Sequence, residues 1–333
     1  MMRSLWTLSL LIALAASGQE PRDYLTKETV IHLSEEVLIG AVSTLDIGKN
    51  GDLLIVDKVA RKVWLFDRKG NFKKELRPEP CHPGFRMNPL DARYAGDRFI
   101  LMTNAGPWGY RFKIDGTCLG GLHREFRAPM QLALDDQGFI WAFYGERGGY
   151  LAQMDSSGKK LLQFDTVNEG FPNLIYRVHG GGIFATDAFV YYAGVADQKI
   201  YKYDGSGRLV QTIGRTPRRH RAPPRDLPPG VSKQLFRVVG EVMGQSTLTF
   251  GLFPLDENLI MLQYKHGREG FGFQVFDRQG RLLAEDFGMQ YQLITAKEGR
   301  VYRVVQPELE AGGALPNPFI EVYRYTGPKT PAR

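Results

Sequence analysis

The sequence predicts an all-β fold, a six-bladed β-propeller with four-stranded antiparallel blades, and three observations carry that expectation. One hairpin signature recurs six times along 333 residues, and a second pair of short alternating strands precedes each hairpin. A unit of four strands repeating every 40 to 50 residues is the pattern of a propeller blade. Almost no segment keeps a 3.6-residue apolar period beyond two turns, which excludes alternating strand-helix units.

The chain opens on a segment that reads as a signal peptide over residues 1–17. Arg3 supplies a positive start, Leu5 to Ala16 is almost wholly apolar, and Ala15, Ala16, Ser17 and Gly18 suit a peptidase site. The apolar run is shorter than the roughly 20 residues needed to span a bilayer, and no cysteine follows it to carry a lipid. The expected location is therefore periplasmic or secreted. Residues 18–28 read as a linker, 29–327 as the propeller and 328–333 as a disordered tail.

The clearest hairpin is VWLFDRKGNFKKEL, Val63 to Leu76, in which Asp67 and Gly70 supply the turn between two alternating runs. The pattern returns around Asp115, Asp155, Asp204 and Asp277, and in a degenerate copy where Thr326 holds the Asp place. The intervals are 48, 40, 49, 73 and 49 residues. Upstream strands are plain in the first unit, Val42 to Gly48 and Leu53 to Asp57, and in the third, Met130 to Asp136 and Phe139 to Tyr144. The 73-residue interval contains an Arg- and Pro-rich loop over residues 215–233. Its Pro223, Pro224, Pro228 and Pro229 cannot sit in central strands, so the blade count stays at six. The last unit stops at its third strand, near Tyr325. An unpaired strand at Thr29 to Leu33 is the candidate to complete it and remove an open edge.

Formal net charge is +7. Arg3 and the loop residues Arg215, Arg218, Arg219, Arg221 and Arg225 account for six of those charges. The body is thus nearly neutral, and a general nucleic-acid-binding surface is not implied. Cys81 and Cys118 are the two cysteines. They lie in no CxxC or CxxCH arrangement, which leaves either a disulfide, permitted in an oxidising compartment, or two buried thiols. No GxSxG, P-loop or HExxH pattern is present.

Val56 to Gly70, VDKVARKVWLFDRKG, resembles the NHL repeat, with Asp57 ending the second strand, Arg61 or Lys62 opening the third, and Phe66 and Asp67 ending it. Arg127 to Asp136, RAPMQLALDD, is similar to that family's lead-in to a first strand. Unit four departs from the pattern, with Gly180, Gly181 and Gly182 where a proline is expected. The resemblance to bacterial six-bladed propellers of the NHL-like type spans roughly Thr29 to Gly327. It implies a fold shared by lactonases, lyases and binding modules.

Strand order assigns the loops to two ends of the ring. The Asp–Gly turns lie at one end, and the loops between second and third strands and between blades lie at the other, where binding residues from several blades can converge. That loop-rich end holds His82 and Arg86 in CHPGFRMNP, His123, His179 and His266. The arginines of the insertion, Arg218, Arg219 and Arg221, could grip phosphate, carboxylate or an anionic polymer. His82, Arg86, His179, His266 and these three arginines make up the expected ligand site, for an envelope or extracellular protein, peptide or glycan, on a monomer with no cofactor. Resemblance to gluconolactonase-type propellers implies an alternative, a metal-dependent lactonase or arylesterase with Ca or Zn held by Asp57 and Asn104. The streptogramin-lyase propellers place a histidine before a first strand in several blades, and His179 is the one rough match here.

Overall fold

The computed structural model describes residues 24–84, 88–103, 108–127, 129–145, 149–167, 180–224, 240–241, 244–307 and 316–328. The expected signal peptide, residues 18–23 of the expected linker, 329–333 of the expected tail, Arg86, Asn104 and His179 lie outside the described residues, as do 225–233 of the insertion. Twenty-four strands form six separate four-stranded antiparallel sheets. The first blade is β2 (Val42–Ile47), β3 (Leu53–Asp57), β4 (Lys62–Phe66) and β5 (Phe72–Leu76). The second is β6 (Pro89–Ala95), β7 (Arg98–Thr103), β8 (Gly109–Lys113) and β9 (Cys118–Gly121). The third is β10 (Gln131–Leu134), β11 (Ile140–Tyr144), β12 (Tyr150–Met154) and β13 (Lys160–Asp165). The fourth is β14 (Gly182–Ala185), β15 (Phe189–Ala193), β16 (Ile200–Asp204) and β17 (Leu209–Ile213). The fifth is β18 (Thr247–Pro254), β19 (Leu259–His266), β20 (Gly270–Asp277) and β21 (Leu282–Met289).

The sixth blade joins the chain ends. Its strands β22 (Thr295–Lys297), β23 (Arg300–Val305) and β24 (Phe319–Tyr325) are completed by β1 (Leu25–His32), which pairs antiparallel with β24 from Leu25↔Tyr325 to His32↔Phe319. The closing strand starts four residues before the expected Thr29, so Leu25 to Glu28 belong to the propeller and not to a linker. Their LTKE sequence hides the strand because an outermost strand buries little: only Leu25 is fully buried in this stretch.

The repeated Asp has a local cause. Asp67 Oδ1 accepts the amides of Lys69 and Asn71, and Asp155, Asp204 and Asp277 repeat this with the amides two and four residues on. Such a side chain fixes the hairpin turn before the strands pair. Asp204 is held down at about 2, first by the Ser206 hydroxyl; burial opposes this, and the Arg208 and Ser206 amides and the Arg208 side chain add to the lowering. Gly70 takes φ 89° in its turn, and a Cβ there would collide with the His32 carbonyl of the closing strand.

The core is divided as the ring requires. Six apolar clusters each join two neighbouring blades, from the first-second pair (Val63, Phe99, Phe112) round to the sixth-first pair (Leu45, Trp64, Ile320, Val322). No blade has a private core, so each is stabilised by apolar area it shares with both neighbours.

Candidate functional site

Two regions hold convergent polar groups: the end of the ring that carries the insertion, and the central channel. At the first, the structure gives Asp57 a structural setting. It is fully buried at the end of β3. Its Oδ1 accepts the amides of Ala41, Val59 and Ala60 at 3.1, 3.0 and 3.0 Å, and its Oδ2 accepts that of Gly40 at 2.8 Å. One carboxylate thereby ties the loop after β3 to the segment entering β2. With both oxygens engaged by the chain and no exposed surface, Asp57 does not fit a cation ligand. Among the described residues no three His, Cys, Asp or Glu side chains come together as a metal set.

Cys81 and Cys118 are joined in a disulfide, with Cα atoms 6.0 Å apart. The bridge fastens the loop before β6, which carries the exposed His82, to the outer strand of the same blade. His123 lies elsewhere, its Nδ1 3.4 Å from Glu125 Oε2. Among the described residues the histidines therefore do not form one metal-holding group.

Four of the expected ligand residues, Arg218, Arg219, Arg221 and His266, do come together, at the fifth blade. The insertion does not leave the surface at once but lies along this blade through Pro224. Arg221 and Thr247 exchange two hydrogen bonds, one backbone to backbone and one to a side chain: Thr247 N donates to Arg221 O at 2.7 Å, and Arg221 N donates to Thr247 Oγ1 at 2.9 Å. Gln198 Nε2 donates to Thr247 O from the fourth blade. On the far side of Thr247, its hydroxyl lies 2.9 Å from Nδ1 of the buried His266 at the end of β19.

The arginines are positioned from this anchor. Arg221 Nη2 donates to Glu269 Oε1 at 2.6 Å, Arg218 Nε lies 3.5 Å from Glu285 Oε2, and the Arg219 guanidinium sits 4.5 Å over the Phe287 ring. Arg218 and Arg221 side chains remain 75% and 58% exposed, so donors beyond the anchoring contact face outward. Burial pulls the His266 imidazole below its ordinary value; Glu269 opposes this, and Arg219, Arg221 and His220 reinforce it. Burial also lowers His220, whose Nδ1 has no hydrogen-bond partner. His220 stands among the arginines of the insertion, whereas the role of Thr247 is not evident in the sequence. Thr247 lies 26 residues from its partner, and nothing local marks it.

The channel holds about 1540 Å³ and is lined by the inner strands β2, β6, β10, β14 and β18 with the segment through β22. It holds an ion pair on β6, the buried Asp91 and the half-buried Arg93, whose Oδ2 and Nε lie 3.1 Å apart. Burial pushes the Asp91 carboxyl up, Arg93 pulls it down, and Asp46 on the neighbouring β2 adds to the rise. Asp46 itself accepts the Tyr94 amide at 2.7 Å. The only trace in the sequence is PLDARYA, a strand in which Asp and Arg interrupt an otherwise apolar innermost position. The pair joins facing charges within the channel wall and needs no ligand to be satisfied.

Comparison with known proteins places the fold. No protein-family model matches the chain, and no curated protein matches it in sequence. Among solved structures the chain is similar to a Bacteroides fragilis protein whose name calls it exported, with a TM-score of 0.64 at 13% identity over 93% of this chain and 98% of that one. It is similar to a member of the DUF4221 family from Bacteroides vulgatus, with a TM-score of 0.59 at 10% identity over 91% and 98%. It is also similar to a streptogramin B lyase, with a TM-score of 0.52 at 12% identity over 86% and 82%. At these identities the likeness defines one class, the six-bladed propeller, and carries fold alone. Among the described residues no helix is long and apolar enough to cross a membrane.

Proposed function

We propose that the chain is an exported, non-catalytic binding propeller of the NHL-like type. It presents the arginine row of the fifth blade to an anionic group on an envelope or extracellular protein, peptide or glycan. The observation that carries this reading is the Arg221–Thr247 hydrogen-bond pair. It holds a Pro-rich insertion in one course, so exposed guanidinium groups are offered from a fixed backbone and less side-chain entropy is lost on binding. Arginine suits the task because its planar fork matches carboxylate, sulfate and phosphate.

The test is binding of poly-γ-glutamate and of polygalacturonate to the mature protein, compared with an Arg218→Gln/Arg219→Gln/Arg221→Gln variant. Three exposed charge contacts of roughly 0.5–1 kcal/mol each amount to a loss of about 10- to 100-fold in affinity. Unchanged affinity for both polymers in the triple variant removes the arginine row from the function.

A further inference from the structure

Most charged groups deep in the channel wall are answered by the chain itself. Asp91 faces Arg93. Asp135 accepts the amides of Gln137 and Phe139 and the Trp141 indole N–H. Asp256 accepts the amides of Asn258 and Leu259. The exception lies at the opposite end from the arginine row, where the Asp–Gly turns lie, between the fourth and fifth blades. Two cations there, Lys202 on β16 and Arg278 just after β20, line the channel with no carboxylate within 4.0 Å among the described residues.

Their surroundings are aromatic. Lys202 Nζ stands 3.9 Å from the Phe189 ring centre and 5.6 Å from that of Tyr191. The Arg278 guanidinium is 5.1 Å from Phe184 and 5.0 Å from the same Tyr191. Arg278 is fixed by donating Nε to Glu257 O and Nη2 to Asp256 O at 3.1 and 3.3 Å, while its buried Nη1 has no hydrogen-bond partner. Among the described residues Lys202 Nζ has no hydrogen-bond partner, so its donors are open to a ligand.

Two cations within 6 Å of one ring repel each other. The ring faces attract each cation and offset part of that cost. The acidic side chains on the surrounding turns do not neutralise them. Asp256 is committed to amides, and Asp187 and Glu257 sit exposed on the rim, where water and salt screen them.

We infer that this end of the channel is a second binding site, independent of the arginine row, for a small organic carboxylate. The carboxylate accepts hydrogen bonds from Lys202 Nζ, Arg278 supplies a fixed second positive charge, and the apolar part of the ligand lies in the channel beside Phe189 and Ala188. Sequence position hides the site. Lys202 and Arg278 each flank an Asp–Gly turn and read singly as solvated charges; only the packing of two blades makes them neighbours.

The experiment is isothermal titration of the full mature protein with benzoate, with benzamide and benzylammonium as neutral and cationic counterparts. Benzoate is expected to bind, and the other two to bind at least tenfold more weakly. Lys202→Met, which keeps the stem over Phe189, is expected to weaken benzoate about 10- to 100-fold. That is the range of one charge-assisted hydrogen bond. Arg278→Lys retains charge and most of the affinity. The arginine-row triple variant binds benzoate as the parent does, which separates the two sites. No benzoate binding by the parent, equal binding of benzamide, or full affinity in Lys202→Met overturns the inference. If Lys202→Met does not fold, Lys202→Gln is read in its place.

Discussion

Replacing Asp57 by Asn should be among the most damaging single-atom changes available in this chain. Four amides converge on its carboxylate, three on Oδ1 and one on Oδ2, at 2.8 to 3.1 Å and with no exposed surface. An asparagine can place its carbonyl at the Oδ1 position and keep three acceptor contacts at neutral strength. Its NH₂ then meets the Gly40 amide, donor against donor. A buried donor left unsatisfied costs about 1–3 kcal/mol, and converting three charge-assisted bonds to neutral ones costs about 0.5 kcal/mol each. The sum is about 3 kcal/mol. At about 2.1 cal/mol/K per residue over roughly 300 ordered residues, this lowers Tm by about 5 °C. Circular dichroism melts and urea titrations of Asp57→Asn read the loss directly. Asp67→Asn is the internal control, because its turn is exposed and water can replace the missing acceptor; its cost should stay under about 1 kcal/mol. Equal losses in the two variants would refute the idea that burial of the four-amide cluster, and not the repeat position, sets the value of Asp57.

Other outcomes follow from the same geometry. Cys81→Ser/Cys118→Ser opens a loop with a sequence separation of 37; the entropy of that closure predicts a loss of about 4 kcal/mol, read by urea unfolding with and without reductant. Glu28 bridges Arg300 and Arg324, and hydrogen bonding to Arg300, then to Arg324, holds its carboxyl below the ordinary 4.5. Its contribution is complete above pH 4.5 and is lost as pH falls through the lower folded value, so Glu28→Gln should flatten the acid limb of the stability profile. His266 is depressed below 6.5, chiefly by burial. Its contribution is complete above that pH and declines as pH falls toward the folded value, because the unfolded chain then binds the extra proton. An NMR titration should show its imidazole midpoint below 6.5, and Thr247→Val should shift that midpoint by removing the hydroxyl at Nδ1.

What could be read from the sequence follows from what is local. The Asp of the hairpin signature acts within four residues of itself, so Asp67, Asp155, Asp204 and Asp277 announce their turns and, by repetition, the blades. Strands such as β3 and β11 read as short unbroken apolar runs because both faces of a blade are covered. The closing strand was legible in position but not in extent, since its outward residues Thr26, Lys27 and Glu28 carry no apolar alternation. The candidate sites depend on contacts between distant segments. The arginines were visible as a composition bias, yet their course is set by Thr247, Glu269 and Glu285, which look unremarkable where they stand. The disulfide was open for the same reason: spacing does not fix where the loop before β6 returns. Lys202 and Arg278 meet only across a blade boundary.

The pairing of β1 with β24 sets the order in which the chain is made against the order in which it can be finished. Lys27 and Glu321, which meet across this seam, are 294 residues apart. The first strand to leave the ribosome is the last to find its place, and until Tyr325 exists it has no partner. Five blades can assemble in sequence behind it, each resting on the one before, while the sixth waits with an open edge at β24. That edge is the point at which a second copy could donate its own β1, so the same strand that closes one ring can link two. Rapid dilution from denaturant at high protein concentration therefore favours exchanged dimers over closed monomers, whereas slow release of a single chain favours the closed ring.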